Sequence, residues 1–384
     1  MMNYPVQIVV YHVFMVVYVC LLVRQIHARR KKRDKPVSLV YIFAMSCCGA
    51  LGSLFFAFLV GPIGDEFFTG QRFAEGLFFE GAFFLFLVGA YIASRLNSAP
   101  PRLKTGLAIQ LFAILTAFIG INSLYYEPWA ICVKTYTLQS DKIMTPIKVV
   151  LIADIQTDSV GKYERKSLQL AKEQNGDLIL FGGDYLQWKG NVNDGVKQLN
   201  ELMKEVNFDA PLGCYAVRGN VDFNNNWPEI FADTKIKATE KTGTIILEKD
   251  GCKVALSLLS IYDSRELGKD RMMLDGYEAE KSESNPYHIM LGHDPSFAGF
   301  KTDADLLLAG HTHGGQVCIP FYGPIITLAK GLPRSSGYEK TLRPDGSTLI
   351  ISNGVGMERR EAPRIRFWCP PQIVVVNLLP KRVQ

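Results

Sequence analysis

Five times along this chain a short apolar run, about as long as a buried strand, stops on a residue type that binds metal ions. Lys148 to Ala153 stops at Asp154-Ile155-Gln156, and Leu178 to Phe181 at Gly182-Gly183-Asp184. Cys214 to Val217 stops at Arg218-Gly219-Asn220-Val221-Asp222, and His288 to Leu291 at Gly292-His293-Asp294-Pro295. The last run, Leu306 to Ala309, stops at Gly310-His311-Thr312-His313-Gly314-Gly315-Gln316. One carboxylate after a strand is ordinary turn chemistry; stops supplying Asp, Asp, Asn, His and a His pair form a pattern. Two His at i and i+2 share one face of a strand, and the flanking glycines let the backbone turn so that both imidazoles converge. Neutral imidazole is the commonest metal ligand, and strand-end loops are where layered sheets place chemistry.

The ordered series D-x-Q, GGD, GN-x-D, GH-D-P and GHTHGGQ resembles the calcineurin-like metallophosphoesterase superfamily, from about Pro146 to the C-terminus. The resemblance implies an α/β (α+β) four-layer sandwich, two mixed β-sheets flanked by helices, with two divalent metal ions (Mn, Fe, Zn or Mg) at its top. Carried over by motif position, Asp154, Gln156 and His313 hold one ion, Asn220, His293 and His311 the other, and Asp184 bridges them. Carboxylate and amide oxygens suit hard divalent ions, and imidazoles tune the site towards Mn, Fe or Zn. The implied reaction is hydrolysis of a phosphate ester by a hydroxide shared between the two ions. Asn220, Asp222 and His293 are the candidate catalytic groups, Asp222 by orienting a neighbour rather than by binding metal.

Two positions depart from the family pattern. Gln156 stands where the first motif has His, and a neutral amide oxygen is a weaker donor than imidazole, so Asp158 is a second candidate there. Val221 stands where many members have the His of Gly-Asn-His, credited with protonating the leaving group. Without that acid, phosphodiesters and anhydrides with good leaving groups are favoured over alkyl monoesters. His288 opens a strand and reads as structural.

The first third of the chain is different material. Val6 to Val23, Val37 to Gly61, Gly76 to Ser94 and Gly106 to Leu124 each have roughly the twenty apolar residues that cross a bilayer. This predicts an all-α four-helix transmembrane region, residues 1–126, ahead of a catalytic domain, 127–384. No Lys or Arg precedes the first run, which excludes a cleaved signal peptide. His12 and Glu80 are ionisable residues within these runs, and Glu80 reads as a solvated helix end. The loop after the first run holds Arg24, Arg29, Arg30, Lys31, Lys32, Arg33 and Lys35, and the third loop holds Arg95, Arg102 and Lys104, whereas the second is acidic. Loops one and three are therefore cytoplasmic, and the catalytic domain faces outside a bacterial inner or plasma membrane. Tyr125, Tyr126 and Trp129 suit the aromatic belt at the outer interface. The net charge of +5 comes largely from these loops, so the partners expected are a lipid bilayer and a phosphate ester, lipid-linked by proximity, and no nucleic acid.

Within the domain, Cys132 to Leu138 reads as an opening strand, Tyr163 to Gln174 and Val192 to Val206 as helices between motif strands. Thr244 to Glu248 and Val254 to Leu259 form a hairpin around Lys249-Asp250-Gly251, and Gln372 to Leu379 is a terminal strand. The segment Tyr262 to Tyr287 is polar, a cap over the metals or a plain surface excursion. Arg364 to Pro371 with the strand after it also resembles the ending of membrane-linked bacterial members. The eight cysteines show no metal spacing and read mainly as buried thiols. Two other readings remain open: a lipid-linked nucleotide-sugar pyrophosphatase on the cytoplasmic face, and a catalytically weak metal-binding sensor or scaffold, motivated by Gln156 and Val221.

Overall fold

The computed structural model describes residues 24, 78, 81–94, 100–188, 190–222, 226–266, 285–324, 341–357 and 364–381. The chain divides into two compact units, with the main change between Tyr126 and Glu127. In the first unit the described residues form α1 (Ala82–Ser94) and α2 (Pro100–Ile121). A Cβ at Gly89 would lie 2.7 Å from the Gly106 carbonyl oxygen, so glycine is what lets the two helices approach. A π-turn (Asn122–Tyr126) and a 3-10 turn (Glu127–Trp129) prolong α2. Lys104–Trp129, 26 residues, is the one described helix long and apolar enough to cross a membrane. At 1.5 Å per residue it reaches about 39 Å, enough for the hydrocarbon core. Leu111, Phe112, Leu115 and Phe118 are exposed along it.

The expected fourth span lies inside this helix, whereas only part of the third is described. The first two spans, His12, Glu80, Cys20, Cys47, Cys48 and the basic cluster after Arg24 lie outside the described residues. So does most of the segment between Tyr262 and Tyr287, which begins as the short helix α5 (Ile261–Glu266).

The second unit is built on two six-stranded mixed sheets. The first runs β1 (Cys132–Ser140), β14 (Gln372–Pro380), β2 (Ile147–Ile152), β3 (Leu178–Phe181), β4 (Cys214–Val217), β5 (Ile236–Thr239). Strands β2 to β5 are parallel, and β14 is antiparallel to β2. The second runs β12 (Thr341–Leu342), β13 (Thr348–Ile351), β9 (Leu306–Ala309), β8 (Tyr287–Leu291), β7 (Cys252–Leu258), β6 (Gly243–Lys249). Here β7, β8, β9 and β13 are parallel, while β6 and β12 join antiparallel at the edges. A small hairpin, β10 (Cys318–Ile319) with β11 (Gly323–Pro324), stands apart.

The motif strands are apolar throughout because both of their faces are covered. Val149 and Leu151 of β2 point inward and meet Leu256, Leu291 and Leu308 of the opposing sheet. Val150 and Ile152 point outward and pack with α3 (Lys162–Lys172) and α4 (Val192–Val206) through Leu168, Leu199 and Met203. On the far side, Met290, Leu307 and Ile351 are covered by Phe297 and Ala298 of a 3-10 turn, Pro295–Gly299. Among the described residues the fourth layer is thus a turn and the short α5 rather than long helices.

Leu180 is fully buried between the sheets. Leu180→Ala is expected to lower stability by about 2–5 kcal/mol in urea unfolding followed by tryptophan emission. A loss below about 1 kcal/mol would show that this layer is not close-packed.

Candidate metal centre

Loops at the C-terminal ends of β2, β3 and β4 in one sheet meet those of β8 and β9 in the other. The His311 N–H donates to both oxygens of Asp154, at 2.9 and 3.1 Å. The Asp154 N–H donates to Gly183 O at 3.0 Å, and the Gln156 N–H to Asp184 O at 2.8 Å. His293 Nδ1 lies 2.7 Å from Gly182 O, and its Nε2 lies 3.0 Å from Asn220 Oδ1 and 3.3 Å from Asp184 Oδ2. The Val221 N–H donates to Asp184 Oδ1 at 2.8 Å.

Strained backbone aims these side chains. Asp154 (φ 52°), Gln156 (φ 41°), Asp184 (φ 56°), His311 (φ 71°) and His313 (φ 48°) all occupy the left-handed region. Such conformations cost about 1–3 kcal/mol each and persist where the surroundings over-determine them. Gly219 shows why a motif needs its glycine: a Cβ there would lie 2.1 Å from Asp184 N and Oδ1.

Two groups of side chains could each hold a cation, with their ligand atoms within 4.8 Å: Asp184, His293 and His311; and Asp154, Asp184 and His313. They share Asp184. Asn220 adjoins the first group through His293. Gln156, fully buried, adjoins the shared Asp184 through its backbone N–H. Asp158 is half-buried on the following turn. The donor set fits divalent ions on two counts. A carbonyl can only accept, so Nδ1 of His293 carries a proton and neutral Nε2 points its lone pair at two acceptor oxygens. That arrangement is stable only with a cation between them or a proton on the ring. His313 Nδ1, in turn, is buried with no hydrogen-bond partner among the described residues.

Charge within the cluster follows from burial and from these neighbours. Burial pushes Asp154 up to about 7, with His293 pulling it down and Asp184 pushing it further up. Asp184, although buried, is held down to about 2 by the His293 charge and hydrogen bond. His293, which burial alone would lower, is raised to about 10 chiefly by Asp184. Burial, then the His293 charge, lowers His311 to about 4. Burial, then Arg366, lowers His313 to about 3.

Asp222 supports the site from behind. Its carboxylate accepts the N–H groups of Asp184 (2.9 Å), Tyr185 (2.8 Å) and Gly219 (2.9 Å). Burial and the Asp184 charge raise it to about 6. His288, by contrast, is buried on β8 with Nε2 2.7 Å from Ser257 Oγ, away from the site.

The His pair departs from the expected geometry. His311 and His313 do not project from one strand face; both have left-handed backbone, and each joins a different group. Three further residues gain a place here that the sequence does not assign them. Asp294 Oδ2 lies 3.6 Å from His311 Nε2, a carboxylate within electrostatic reach of that ring. Asn353 follows β13 in a Ser-Asn-Gly stop of the same form as the five motifs. Arg366, fully buried, donates to the carbonyls of Cys369 (2.9 Å), Asn353 (2.9 Å) and Gly356, pinning the segments around His313. No local signal distinguishes it from the other arginines.

Residues 147–315 match the family model for calcineurin-like phosphoesterases. The metallophosphoesterase YkuE of Bacillus subtilis is 30% identical over 269 residues, 66% of this chain and 87% of that protein. A transmembrane protein with metallophosphoesterase domain from Danio rerio is 24% identical over 262 residues, 61% of this chain and 58% of its own length. The crystal structure of a dimetal phosphatase from Danio rerio aligns with a TM-score of 0.34 at 13% identity, covering 54% of this chain and 88% of that one.

Metal uptake by this site should release protons. Below about 10 for His293 and about 7 for Asp154 the ion-free groups hold protons that an ion must displace. His311 and His313, lowered to about 4 and about 3, are already neutral at pH 7. Calorimetric titration with Mn or Zn in buffers of different ionisation enthalpy should therefore show, at pH 7, about one proton released from His293 and about half a proton from Asp154. Affinity should fall from pH 8 to pH 5; a pH-independent affinity would remove these residues as ligands.

Proposed function

Because the chain belongs to the calcineurin-like phosphoesterase family, we propose that it is a membrane-anchored phosphoesterase whose two divalent ions share the Asp184 carboxylate. It is a metal-dependent phosphoric ester hydrolase. The supporting observation is the pair of ligand groups with Asp184 in common. In this reading Asp154, Gln156, Asp184 and His313 hold one ion, and Asp184, Asn220, His293 and His311 the other. The ions supply Lewis-acid polarisation of the phosphoryl oxygens and activation of water.

The chain's own groups do the rest. The Asn220 amide, its Oδ1 3.0 Å from His293 Nε2, offers N–H donors to a non-bridging phosphoryl oxygen. Asp222, by holding the backbone of residues 184, 185 and 219, fixes the Asp184 carboxylate and the Asn220 loop in register. At position 221 the chain contributes a backbone N–H to Asp184 and an aliphatic side chain, so this residue delivers no proton to the departing oxygen. That favours diesters and anhydrides with good leaving groups.

Membrane anchoring is supported by the Lys104–Trp129 helix and by the transmembrane relative. We assign residues 1–126 to four spans and residues 127–384 to the catalytic domain, with that domain outside and a lipid-linked phosphate ester as substrate. A second reading keeps the domain in the cytoplasm, acting on a lipid-linked nucleotide sugar. It is favoured by unbridged thiols at Cys132, Cys214, Cys252, Cys318 and Cys369, which a reducing compartment preserves. A reporter fused at the C-terminus separates the two.

Metal-stripped protein should be inactive on a nitrophenyl phosphodiester and regain turnover with Mn, Fe, Zn or Mg. Asp184→Asn should lower that turnover by about 10²-fold or more. Bound metal without turnover would favour the sensor reading. Diesters with alkyl leaving groups should react about 10²–10⁴-fold more slowly than nitrophenyl ones, as expected without a positioned acid. A flat dependence on the leaving group would reveal an acid elsewhere.

A further inference from the structure

Two aromatic residues of the catalytic unit break the rules of burial and of backbone geometry together. Phe321 is 107% exposed with φ 66°, and Trp368 is 53% exposed with φ 54°. Positive φ is an outlier for a bulky side chain, and such outliers point to function. Phe321 is the third residue of a turn closed by the Tyr322 N–H donating to Ile319 O at 3.0 Å. Pro320 suits the second position of that turn, but a positive φ at the third ordinarily calls for glycine or asparagine. Among the described residues, nothing recovers the exposed ring or the strained backbone.

The two residues lie on paired segments. Val317 and Phe367 form a parallel bridge, and the Cys318 N–H donates to Phe367 O at 2.9 Å. Ile319 (45% exposed) and Tyr322 (56%) stand on the same turn as Phe321. Ile319 to Gly323 and Phe367 to Pro371 carry no charged residue, so an occupant would be apolar rather than ionic.

The tether names that occupant. The Cys369 N–H donates to Glu127 Oε1 at 2.6 Å, next to Trp368. Glu127 belongs to the helix Lys104–Trp129 that is long and apolar enough to cross a bilayer. The aromatic segments are thus one hydrogen bond from the place where that helix hands over to the domain. Trp, Tyr and Phe are the side chains suited to the boundary between headgroups and acyl chains.

We infer that the Ile319–Tyr322 turn and Trp368 dock onto the bilayer surface, bringing the adjoining His313 loop to headgroup level. The inference rests on the membrane-anchored reading above. The same segments hold the site: the Phe367 N–H donates to Gln316 O at 2.9 Å, three residues after His313. Docking would therefore present the centre to phosphate esters carried on lipid.

The test uses the full chain in nanodiscs of phosphatidylethanolamine and phosphatidylglycerol, with plain or brominated acyl chains. Phe321→Trp should add emission that brominated chains quench and plain chains leave intact. Added emission untouched by bromine, in protein that has entered the discs, overturns docking while leaving anchoring in place. Protein that does not enter discs overturns both. Shielding of the new Trp that grows with copies per disc assigns the surface to a second copy of the chain instead. As a functional arm, the double variant Phe321→Ser with Trp368→Ser should lower hydrolysis of hexadecyl nitrophenyl phosphate in the disc by about tenfold. Hydrolysis of methyl nitrophenyl phosphate in water should not change. Equal effects on both, or none, would overturn a role for docking in substrate access.

Discussion

Asp154 and Asp184 are buried beside each other, 0% and 1% exposed, with Asp222 at 5% just behind. Carboxylates removed from water cost several kcal/mol apiece even after relaxation, and neighbouring ones repel. The local structure answers that one demand. Asp222 is satisfied by three backbone N–H groups, Asp154 by the His311 N–H, and Asp184 by the Val221 N–H. What these bonds leave is net negative charge facing three imidazoles. Two divalent cations discharge it, which is why the same residues read as misfits in an ion-free state and as a complete set in a loaded one.

Holding such groups together against their repulsion requires a stiff frame. Each candidate ligand lies within four residues of the end of a strand whose two faces are buried, so its position is set largely by the sheets. The left-handed residues then turn the side chains inward within one or two positions. Bonds such as His311 to Asp154, and His293 to Gly182, cross from one sheet to the other. The inter-sheet core and the ion site are in this sense one construction: loosening the layer around Leu180 and Leu256 would also separate the halves of the centre.

Much of this was legible because the signal is local. Strands Leu178–Phe181, Cys214–Val217 and Leu306–Ala309 and helix Val192–Val206 begin and end where apolar periodicity and the glycines after them say. Ile236–Thr239 leaves little trace in the sequence: four residues at a sheet edge, half-exposed, with a lysine among them, carry almost no pattern. Thr348–Ile351 is hard to single out although Ser352-Asn353-Gly354 repeats the same stop, since Ser, Asn and Gly also mark any ordinary turn. Arg366 was illegible in principle, because its importance comes from carbonyls that only the fold assembles around it. The His pair shows the reverse limit: residue type points to metal, but an alternation argument cannot foresee left-handed backbone at both His311 and His313.

One feature of the first sheet bears on how the protein is made. Strand β14 lies between β1 and β2, parallel to the first and antiparallel to the second. Its two neighbours leave the ribosome before any of the metal-binding motifs that follow them, yet neither can complete its hydrogen bonds until the closing strand arrives. Gly354 and Gly356, whose backbones press against Asp154 and Ile155, come equally late. During synthesis, then, the nascent domain holds an open apolar slot through nearly its whole length. If this domain crosses the membrane as it is made, the delay is useful, because a chain that cannot close early remains threadable until its last strand has passed.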